Sequence, residues 1–385
     1  MGLRISACGS SPMLLGLVVM MLSSFSLQSR AFSVLRTPIT VLKASFRSCA
    51  ALYAAKSVVF LGTPDVAARC LELLVEASSA NKALDFEVTA VVTMPPSPQG
   101  RKKVLTPSPV HTLADSLNIP VMHPEKAKDP DFLSQLTDLA PDLCITAAYG
   151  NFLPTKFLKI PKYGTLNIHP SLLPKYRGAA PVQRCLENGD TTAGVSVAFT
   201  VLNMDAGPVV RQVTRPLTGD EKADTLLLDM FEVGTAQLLE ALPSVWNGSV
   251  ERREQVDDDA TPADKLSVED ARLDLGAVGA LQAHNRARGF AIWPGLWTSI
   301  RVGDAAPQRL KIVTTRVLED ATGSAEPTRL MGEVREGKTS VLRVVCGDGS
   351  VLGLTHVQVP GKTMVDARSF VNGLRGQDVH WCDPE

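Results

Sequence analysis

Strand-like and helix-like patterns alternate along this chain from about residue 56, and this alternation constrains the fold more than any other feature. The first unit reads S-V-V-F-L-G-T-P-D, an apolar run typical of a buried strand that enters a turn. Thr63 is predicted to cap a helix that reaches about residue 80, with Pro64 in its first position. A second strand is predicted at 86–92. Such β-α-β units require a parallel sheet with right-handed crossovers.

The alternation continues through the first two thirds of the chain and then changes character. Further helices are predicted at 106–117, 129–139, 179–187 and 221–242, and further strands at 121, 143–147 and 194–202. A linker-like stretch, E-Q-V-D-D-D-A-T-P, follows the last of these helices. Short apolar segments with Gly-Asp and Pro-Gly turns come next, and they predict a small β-barrel.

The stretch at residues 164–178, G-T-L-N-I-H-P-S-L-L-P-K-Y-R-G, combines a strand with a proline-bounded turn. The period of two places Asn167 and His169 on one face of an extended segment, and Pro170 ends the strand. An amide donor beside an imidazole suits acyl transfer, which needs a hydrogen bond for a developing oxyanion and a group that handles a proton. Taken singly, either residue is more often a turn former or a satisfied polar group.

The whole motif, N-I-H-P-S-L-L-P-K-Y-R-G, resembles the signature of the folate-dependent formyltransferases. The continuation R-G-A-A-P-V-Q-R narrows the resemblance to the methionyl-tRNA formyltransferases, and the similarity extends from about residue 58 to the C-terminus. It implies that 10-formyltetrahydrofolate is the co-substrate, that charged initiator methionyl-tRNA is the partner, and that no metal takes part.

The resemblance also implies three catalytic residues: Asn167, His169 and Asp205. Asn167 would donate a hydrogen bond to the formyl oxygen, and His169 would stabilise that charge or relay a proton. Asp205 would orient the imidazole and accept the proton of the attacking amine, directly or through water. The sequence M-D-A-G-P keeps the D-x-G setting of that aspartate but departs from the usual L-D-T-G-D. An exposed loop aspartate alone is usually a turn residue.

Two further sets of residues are assigned to substrate binding by the same resemblance. The residues implied for the folate pocket are Tyr149, Gly150, Ser171, Leu172, Leu173 and Pro174. Plain core packing is the alternative for the two leucines. The residues implied for tRNA binding are Arg101, Lys102, Lys103 and Arg177. Four prolines and a glycine at residues 94–107 predict an irregular loop for the first three, and a solvated charge run is the alternative.

The fold predicted for the mature chain is a Rossmann-like parallel-sheet formyltransferase domain followed by a small OB-like β-barrel. The predicted boundaries are 1–55 for a presequence, 56–245 for the catalytic domain, 246–275 for a linker and 276–385 for the tRNA-binding barrel. The altered junction sequence G-F-A-I-W-P favours core positions for Phe290 and Trp293. The mature protein is expected to be a monomer that is not bound to a membrane.

Composition adds information about targeting and about excluded site types. No Asp or Glu occurs before Asp65, and the Ser- and Ala-rich start contains an apolar run at 12–27 of signal-peptide length. The signal-like run is followed by a transit-like segment, S-R-A-F-S-V-L-R, and this combination resembles the bipartite presequences of algal plastids, with a mitochondrial presequence as the alternative. The 39 basic residues balance 40 acidic ones, so any contact with nucleic acid must come from local patches. The seven cysteines form no C-x-x-C pair, which argues against zinc or a disulfide framework.

Two alternatives to the tRNA-directed reaction remain at this stage. The same formyl transfer could act on another amine, such as glycinamide ribotide or an amino sugar. A relative without catalytic activity could instead bind RNA or folate on the same scaffold.

Overall fold

The computed structural model describes residues 55–100, 102–318, 331–336 and 339–382. From Ala55 onward the chain forms one compact unit. Arg101 and nearly all of the predicted presequence lie outside the described residues.

The strands of the first half are β1 (Lys56–Gly62), β2 (Phe86–Val92), β3 (Ser97–Gln99), β4 (Val104–Thr106), β5 (Val121–Met122), β6 (Leu143–Ala147), β7 (Thr165–His169), β8 (Arg177–Gly178), β9 (Thr192–Phe199) and β10 (Val209–Pro216). The helices are α1 (Asp65–Ala80), α2 (Pro109–Ser116), α3 (Pro130–Leu139), α4 (Thr155–Leu158), α5 (Pro181–Glu187), α6 (Ala223–Trp246), α7 (Ala280–Gly289) and α8 (Ala367–Gly373).

The first half is built on a sheet in which seven of the described strands lie in the order β10-β9-β7-β6-β1-β2-β5. The five strands from β7 to β5 are parallel, which confirms the predicted α/β sheet. β9 runs antiparallel to β7, and β10 runs antiparallel to β9. The sequence analysis did not predict β10, whose last three residues are exposed.

Helices cover both faces of this sheet, as the continuous apolar strands require. In β1, Val58 and Phe60 pack on the side of α1, α2 and α6, whereas Val59 and Leu61 pack on the side of α3 and α4. All four side chains are fully buried. The sheet is therefore a rigid platform, and side chains at the carboxyl ends of its strands are held in fixed positions.

The second half forms a strongly curved antiparallel sheet. Its strands are β12 (Leu296–Val302), β13 (Gln308–Leu318), β14 (Gly332–Glu336), β15 (Thr339–Val345), β16 (Val351–Gln358), β17 (Val365–Asp366) and β18 (Val379–Cys382). The order is β14-β15-β16-β13-β12-β18, with β17 beside β16. The Met331 N–H donates to the Val379 carbonyl at 2.8 Å, which brings the two edges together. This nearly closed sheet confirms the predicted small barrel.

Two local predictions about the first half were wrong. The Thr63 hydroxyl does not cap α1, since it donates to the Tyr149 carbonyl at 2.8 Å. The proline-rich stretch is not irregular, because β3 and β4 pair as a short antiparallel hairpin. Pro98 fits there because a two-stranded ribbon has open edges, where a missing N–H costs no ladder bond.

The region between the two halves also differs from the predictions. Phe290 is fully buried, as predicted, but Trp293 is 46% exposed and is not a core residue. Within the predicted linker, β11 (Pro262–Ala263) pairs in parallel with β8. This part of the linker is therefore attached to the first half. Among the helices of the described residues, none has both the length and the hydrophobicity needed to cross a bilayer.

Candidate active site

Segments after β1, β6 and β7, together with the loop between β9 and β10, line a cavity of about 640 Å³. Most of its lining side chains are apolar, and Asn167, His169 and Asp205 are among the polar ones. In open parallel sheets, ligands bind beyond the carboxyl ends of the strands. The structure thus brings the three predicted catalytic residues together in a cavity of the kind that binds small molecules.

A threonine on the neighbouring strand orients the Asn167 amide. The sheet register pairs Thr146 with Asn167, and Thr146 Oγ1 donates to Asn167 Oδ1 at 2.8 Å. Since the amide oxygen is occupied, the amide nitrogen faces the site, where it lies 3.4 Å from Asp205 Oδ1. Asn167 therefore presents a hydrogen-bond donor. The sequence analysis missed Thr146, although a single polar residue in the apolar run L-C-I-T-A was a usable signal.

The contacts of His169 determine which of its ring nitrogens carries the proton. Nε2 lies 2.8 Å from the Tyr176 carbonyl, and a carbonyl can only accept, so Nε2 must be the donor. In the neutral ring Nδ1 is then an acceptor, and it faces Asp205 Oδ2 at 3.7 Å. The site therefore contains two neighbouring proton acceptors, one on the imidazole and one on the carboxylate.

The Asp205 carboxylate is held by both neighbouring segments. Its Oδ2 accepts the Gly178 N–H at 2.9 Å, and its Oδ1 lies near the Asn167 amide. Asp205 has a positive φ of 51°, a left-handed conformation that non-glycine residues seldom adopt. A Cβ on Gly207 would lie 1.8 Å from the Phe199 carbonyl oxygen. The D-x-G pattern is therefore a packing requirement of this loop.

Two of the residues predicted to bind folate, Tyr149 and Gly150, line the same cavity. Within the part of the chain that the structure describes, three buried polar atoms in the cavity lining find no hydrogen-bond partner: Tyr149 Oη, Gln183 Oε1 and Thr200 Oγ1. Burial also raises the pKa of the Tyr149 hydroxyl. Buried polar groups are normally paired, so these atoms mark positions for polar groups of a ligand.

The four predicted folate residues at 171–174 do not line this cavity. Ser171 and Leu172 line a separate cavity of about 290 Å³. Leu173 is buried, and its N–H donates to Ser196 Oγ, which in turn donates to the Ser171 carbonyl. Their contacts in the structure fix the backbone of the loop that follows His169, and their assignment to folate stays a prediction.

The predicted tRNA residues have different surroundings. Lys102 and Lys103 are exposed at the turn between β3 and β4. Arg177 is largely buried instead, and its guanidinium donates to Gln255 Oε1 at 3.0 Å and to Asp257 Oδ1 at 2.9 Å. Arg177 thus contacts the segment that follows the first half, whereas the two lysines face solvent.

Among the five described cysteines, Cys70, Cys144, Cys185 and Cys346 are buried thiols that form no disulfide with a described residue. Burial raises the pKa of the Cys70 and Cys185 thiols to about 12, so both are protonated at neutral pH. Across the described ranges, no group of three or more His, Cys, Asp or Glu residues is placed to hold a metal ion.

An amide donor, an imidazole and a carboxylate around a mostly apolar cavity define the site of a group-transfer enzyme of the α/β class. The family model described as "Formyl transferase" matches residues 55–242, and "Formyl transferase, C-terminal domain" matches residues 265–375. This chain therefore belongs to the formyl transferase family.

Relatives narrow the position of the chain within that family. Methionyl-tRNA formyltransferases of Macrococcus caseolyticus and Enterococcus faecalis are each 37% identical over 322 residues, which is 84% of this chain and 97% of theirs. An N-formyltransferase of Helicobacter canadensis, solved with folinic acid and dTDP-3-aminofucose, shares the fold at 15% identity. Its TM-score is 0.52, and the match covers 78% of this chain and 98% of that structure.

Proposed function

We propose that this enzyme transfers the formyl group of 10-formyltetrahydrofolate to the α-amino group of methionyl-initiator tRNA. The observation that carries the proposal is the meeting of Asn167, His169 and Asp205 in one cavity. The bacterial relatives named methionyl-tRNA formyltransferase support the choice of substrate, because they match this chain over nearly their whole length.

The lining of the cavity fits a folate. Apolar walls suit the faces of a flat heteroaromatic ring, and the unpartnered atoms of Tyr149, Gln183 and Thr200 suit polar groups at its edge. The bound folate supplies a formyl carbon that is open to attack by an amine. In the transfer a bond forms between that carbon and the amine nitrogen, and its bond to the folate nitrogen breaks.

Asn167 stabilises the charge that this step creates. Negative charge develops on the formyl oxygen, and the Asn167 amide group faces the cavity with its oxygen already occupied by Thr146. A donor fixed in this way need not reorganise during the reaction, and one such donor contributes a factor of roughly 10²–10³ to kcat.

His169 and Asp205 together take the proton that the amine sheds. Nδ1 and Oδ2 both accept, and because they lie 3.7 Å apart they offer two alternative positions for that proton. The bond from Nε2–H to the Tyr176 carbonyl holds the ring in place while this happens. The proton can then pass to the folate nitrogen as the product leaves.

A direct assay tests the proposal. A protein comprising residues 55–385 is given labelled 10-formyltetrahydrofolate with charged initiator tRNA, glycinamide ribotide or a dTDP-amino sugar as the amine. We expect label on the methionyl-tRNA alone. Label on another amine would instead assign that substrate, and folate binding without transfer to any amine would indicate a relative without catalytic activity.

The cellular role is a separate part of the proposal. We infer that residues 1–55 deliver the enzyme to a plastid, where it formylates initiator tRNA for organellar translation. The support comes from the sequence: this segment contains Arg and Lys but no Asp or Glu, and it includes a signal-like apolar run at 12–27. Residues 1–56 fused to a fluorescent reporter should direct it to plastids. A mitochondrial signal would change the compartment, and a cytosolic signal would exclude a presequence.

A further inference from the structure

The segment between the two halves passes directly beside the loop that follows His169 and the loop that carries Asp205. Arg253 exchanges two backbone hydrogen bonds with Val209 at 2.8 and 2.9 Å. Further along, the Thr261 carbonyl accepts the Arg177 N–H at 2.8 Å, and Thr261 Oγ1 accepts the Tyr176 N–H at 2.9 Å. The segment is thus fixed to both loops by its own backbone.

Gln255 lies between these two attachments and binds the Asp205 loop with its side chain. Its Nε2 donates to the Asp205 carbonyl at 2.8 Å and to the Gly207 carbonyl at 2.7 Å. Its Oε1 accepts from Arg177 Nε at 3.0 Å. Carbonyls only accept and a guanidinium only donates, so the network admits a single orientation of this amide.

The Asp205 loop needs such support. Asp205 is in the left-handed region with a φ of 51°, and such conformations persist only where the surroundings impose them. The two carbonyls that Gln255 binds stand on either side of Ala206, so they fix the turn that aims the carboxylate. Asp205 Oδ1 then lies 3.4 Å from Asn167 Nδ2, a distance that a small shift would lengthen beyond contact.

We propose that Gln255 is a positioning residue of the active site, which holds the strained Asp205 turn so that its carboxylate meets Asn167 and His169. The kinetic part of this inference rests on the proposed function, whereas the structural part does not. Gln255 acts through Asp205 and is not among the residues that line the cavity. A purely structural tether is the competing explanation, but Arg253 and Thr261 already attach the segment on both sides of Gln255.

Two substitutions in the full chain separate these explanations. Gln255→Ala removes all three contacts, whereas Gln255→Glu keeps the size and the contact with Arg177, removes the donated bonds and places a carboxylate oxygen against the two carbonyls. We expect both to lower kcat by roughly 10- to 100-fold, the scale of a displaced catalytic group, with KM values close to those of the parent. The control is Glu254→Ala at the exposed neighbouring position, which should keep the parent kcat. Parent-like kcat in both Gln255 variants would overturn the inference.

A double-mutant cycle and an activity-independent measurement complete the test. If Gln255 acts through Asp205, Gln255→Ala should add little to the loss already caused by Asp205→Asn, and additive losses would contradict the inference. Hydrogen–deuterium exchange should accelerate at 203–208 and at Gly178, whose N–H donates to Asp205 Oδ2. If the parent transfers no formyl group to any amine, the proposed function fails, and exchange alone decides: unchanged protection in Gln255→Ala then excludes the positioning role.

Discussion

A threonine outside the sequence motif determines which way the Asn167 amide faces. The spacing of two between Asn167 and His169 correctly predicted a shared strand, because strand period is a local property. The contact with Thr146 depends on the register between β6 and β7, which links residues 21 positions apart. A single sequence contains no record of that register. The motif could therefore be found from the sequence, and Thr146 could be noticed as a polar residue in an apolar strand, but its contact with Asn167 could not be predicted.

Thr146→Val tests this orientation. Valine keeps the shape of threonine and removes the hydroxyl that donates to Asn167 Oδ1. With that bond lost the amide can rotate, and we expect kcat to fall about tenfold, which corresponds to roughly 1.4 kcal/mol of transition-state stabilisation. Thr89→Val is a matched control, since Thr89 lies in β2 and bonds to Ser57. Equal rates in Thr146→Val and the parent would mean that another contact orients the amide.

Alanine substitutions at the three central residues should affect turnover far more than binding. Asn167→Ala removes the oxyanion donor, so we expect a loss of roughly 10²–10³ in kcat, about 2.7–4 kcal/mol. His169→Ala and Asp205→Ala should also lower kcat by orders of magnitude, because each removes one of the two proton acceptors of the site. Single-turnover rates and folate binding by fluorescence separate the two effects. A folded Asp205→Ala protein with a near-normal rate would refute the assigned role of the carboxylate.

At the scale of elements, buried strands were predicted well and polar ribbons were not. The predicted strands at 86–92 and 143–147 coincide with β2 and β6, because continuous apolar runs indicate strands buried on both faces. β10 carries polar side chains along an exposed edge, and β3 contains a proline, so neither shows the usual strand pattern. Their pairing is decided by their partners in the folded chain.

The β3–β4 hairpin leads to a prediction about tRNA binding. Lys102 and Lys103 project at its turn, and Val104 and Leu105 beside them are 59% and 68% exposed. Replacing Arg101, Lys102 and Lys103 by alanine should raise KM for charged tRNA and leave KM for the folate unchanged. The slope of log affinity against log salt should flatten by roughly one unit per lost phosphate contact.

A control for this variant lies at the opposite end of β2. Lys82 is an exposed lysine in the turn that precedes β2, whereas the hairpin follows it. Lys82→Ala should keep the parent salt dependence. If the triple variant also retains the tRNA kinetics of the parent, the three basic residues are an ordinary solvated charge run.

At the scale of the whole molecule, side chains that the sequence did not single out join the two halves. His284 on α7 is buried, with Nδ1 2.8 Å from Thr315 Oγ1 and Nε2 3.0 Å from the Gly219 carbonyl. Lys222, at the start of α6, donates to the Val313 carbonyl and to Thr314 Oγ1 of the barrel. The contacts of His284 with Gly219 and of Lys222 with the barrel join residues more than 60 positions apart, and no local pattern could predict them.

The buried histidine predicts a pH dependence of stability. Burial lowers the pKa of His284, and the positive charge of Arg288 lowers it further, while the Gly219 carbonyl and Asp220 oppose the shift. In the unfolded chain the pKa is about 6.5. The stabilising contribution is therefore complete above pH 6.5 and is lost as pH falls from there through the lower folded pKa. The free energy of unfolding, measured with urea, should decline over that range.

His284→Gln isolates this contribution. Glutamine can still accept from Thr315 and donate to the Gly219 carbonyl, but it does not titrate. The variant should lose the part of the slope that His284 causes, whereas His380→Gln in β18 should keep it. An unchanged slope in His284→Gln would assign the pH dependence to other groups.

The parallel pairing of β11 with β8 bears on how such a protein can be recombined. Ala263 and Gly178 approach so closely that a Cβ on Gly178 would lie 2.6 Å from the Ala263 carbonyl oxygen. The segment from Arg253 to Ala263 follows α6 in sequence, but its backbone pairs with strands of the catalytic half, so it belongs to that half. A chimera that exchanges barrels between homologues should therefore keep residues up to 263 from the parent of the catalytic half. A junction before residue 253 would combine the Asp205 loop of one homologue with the 253–263 segment of another, which holds that loop.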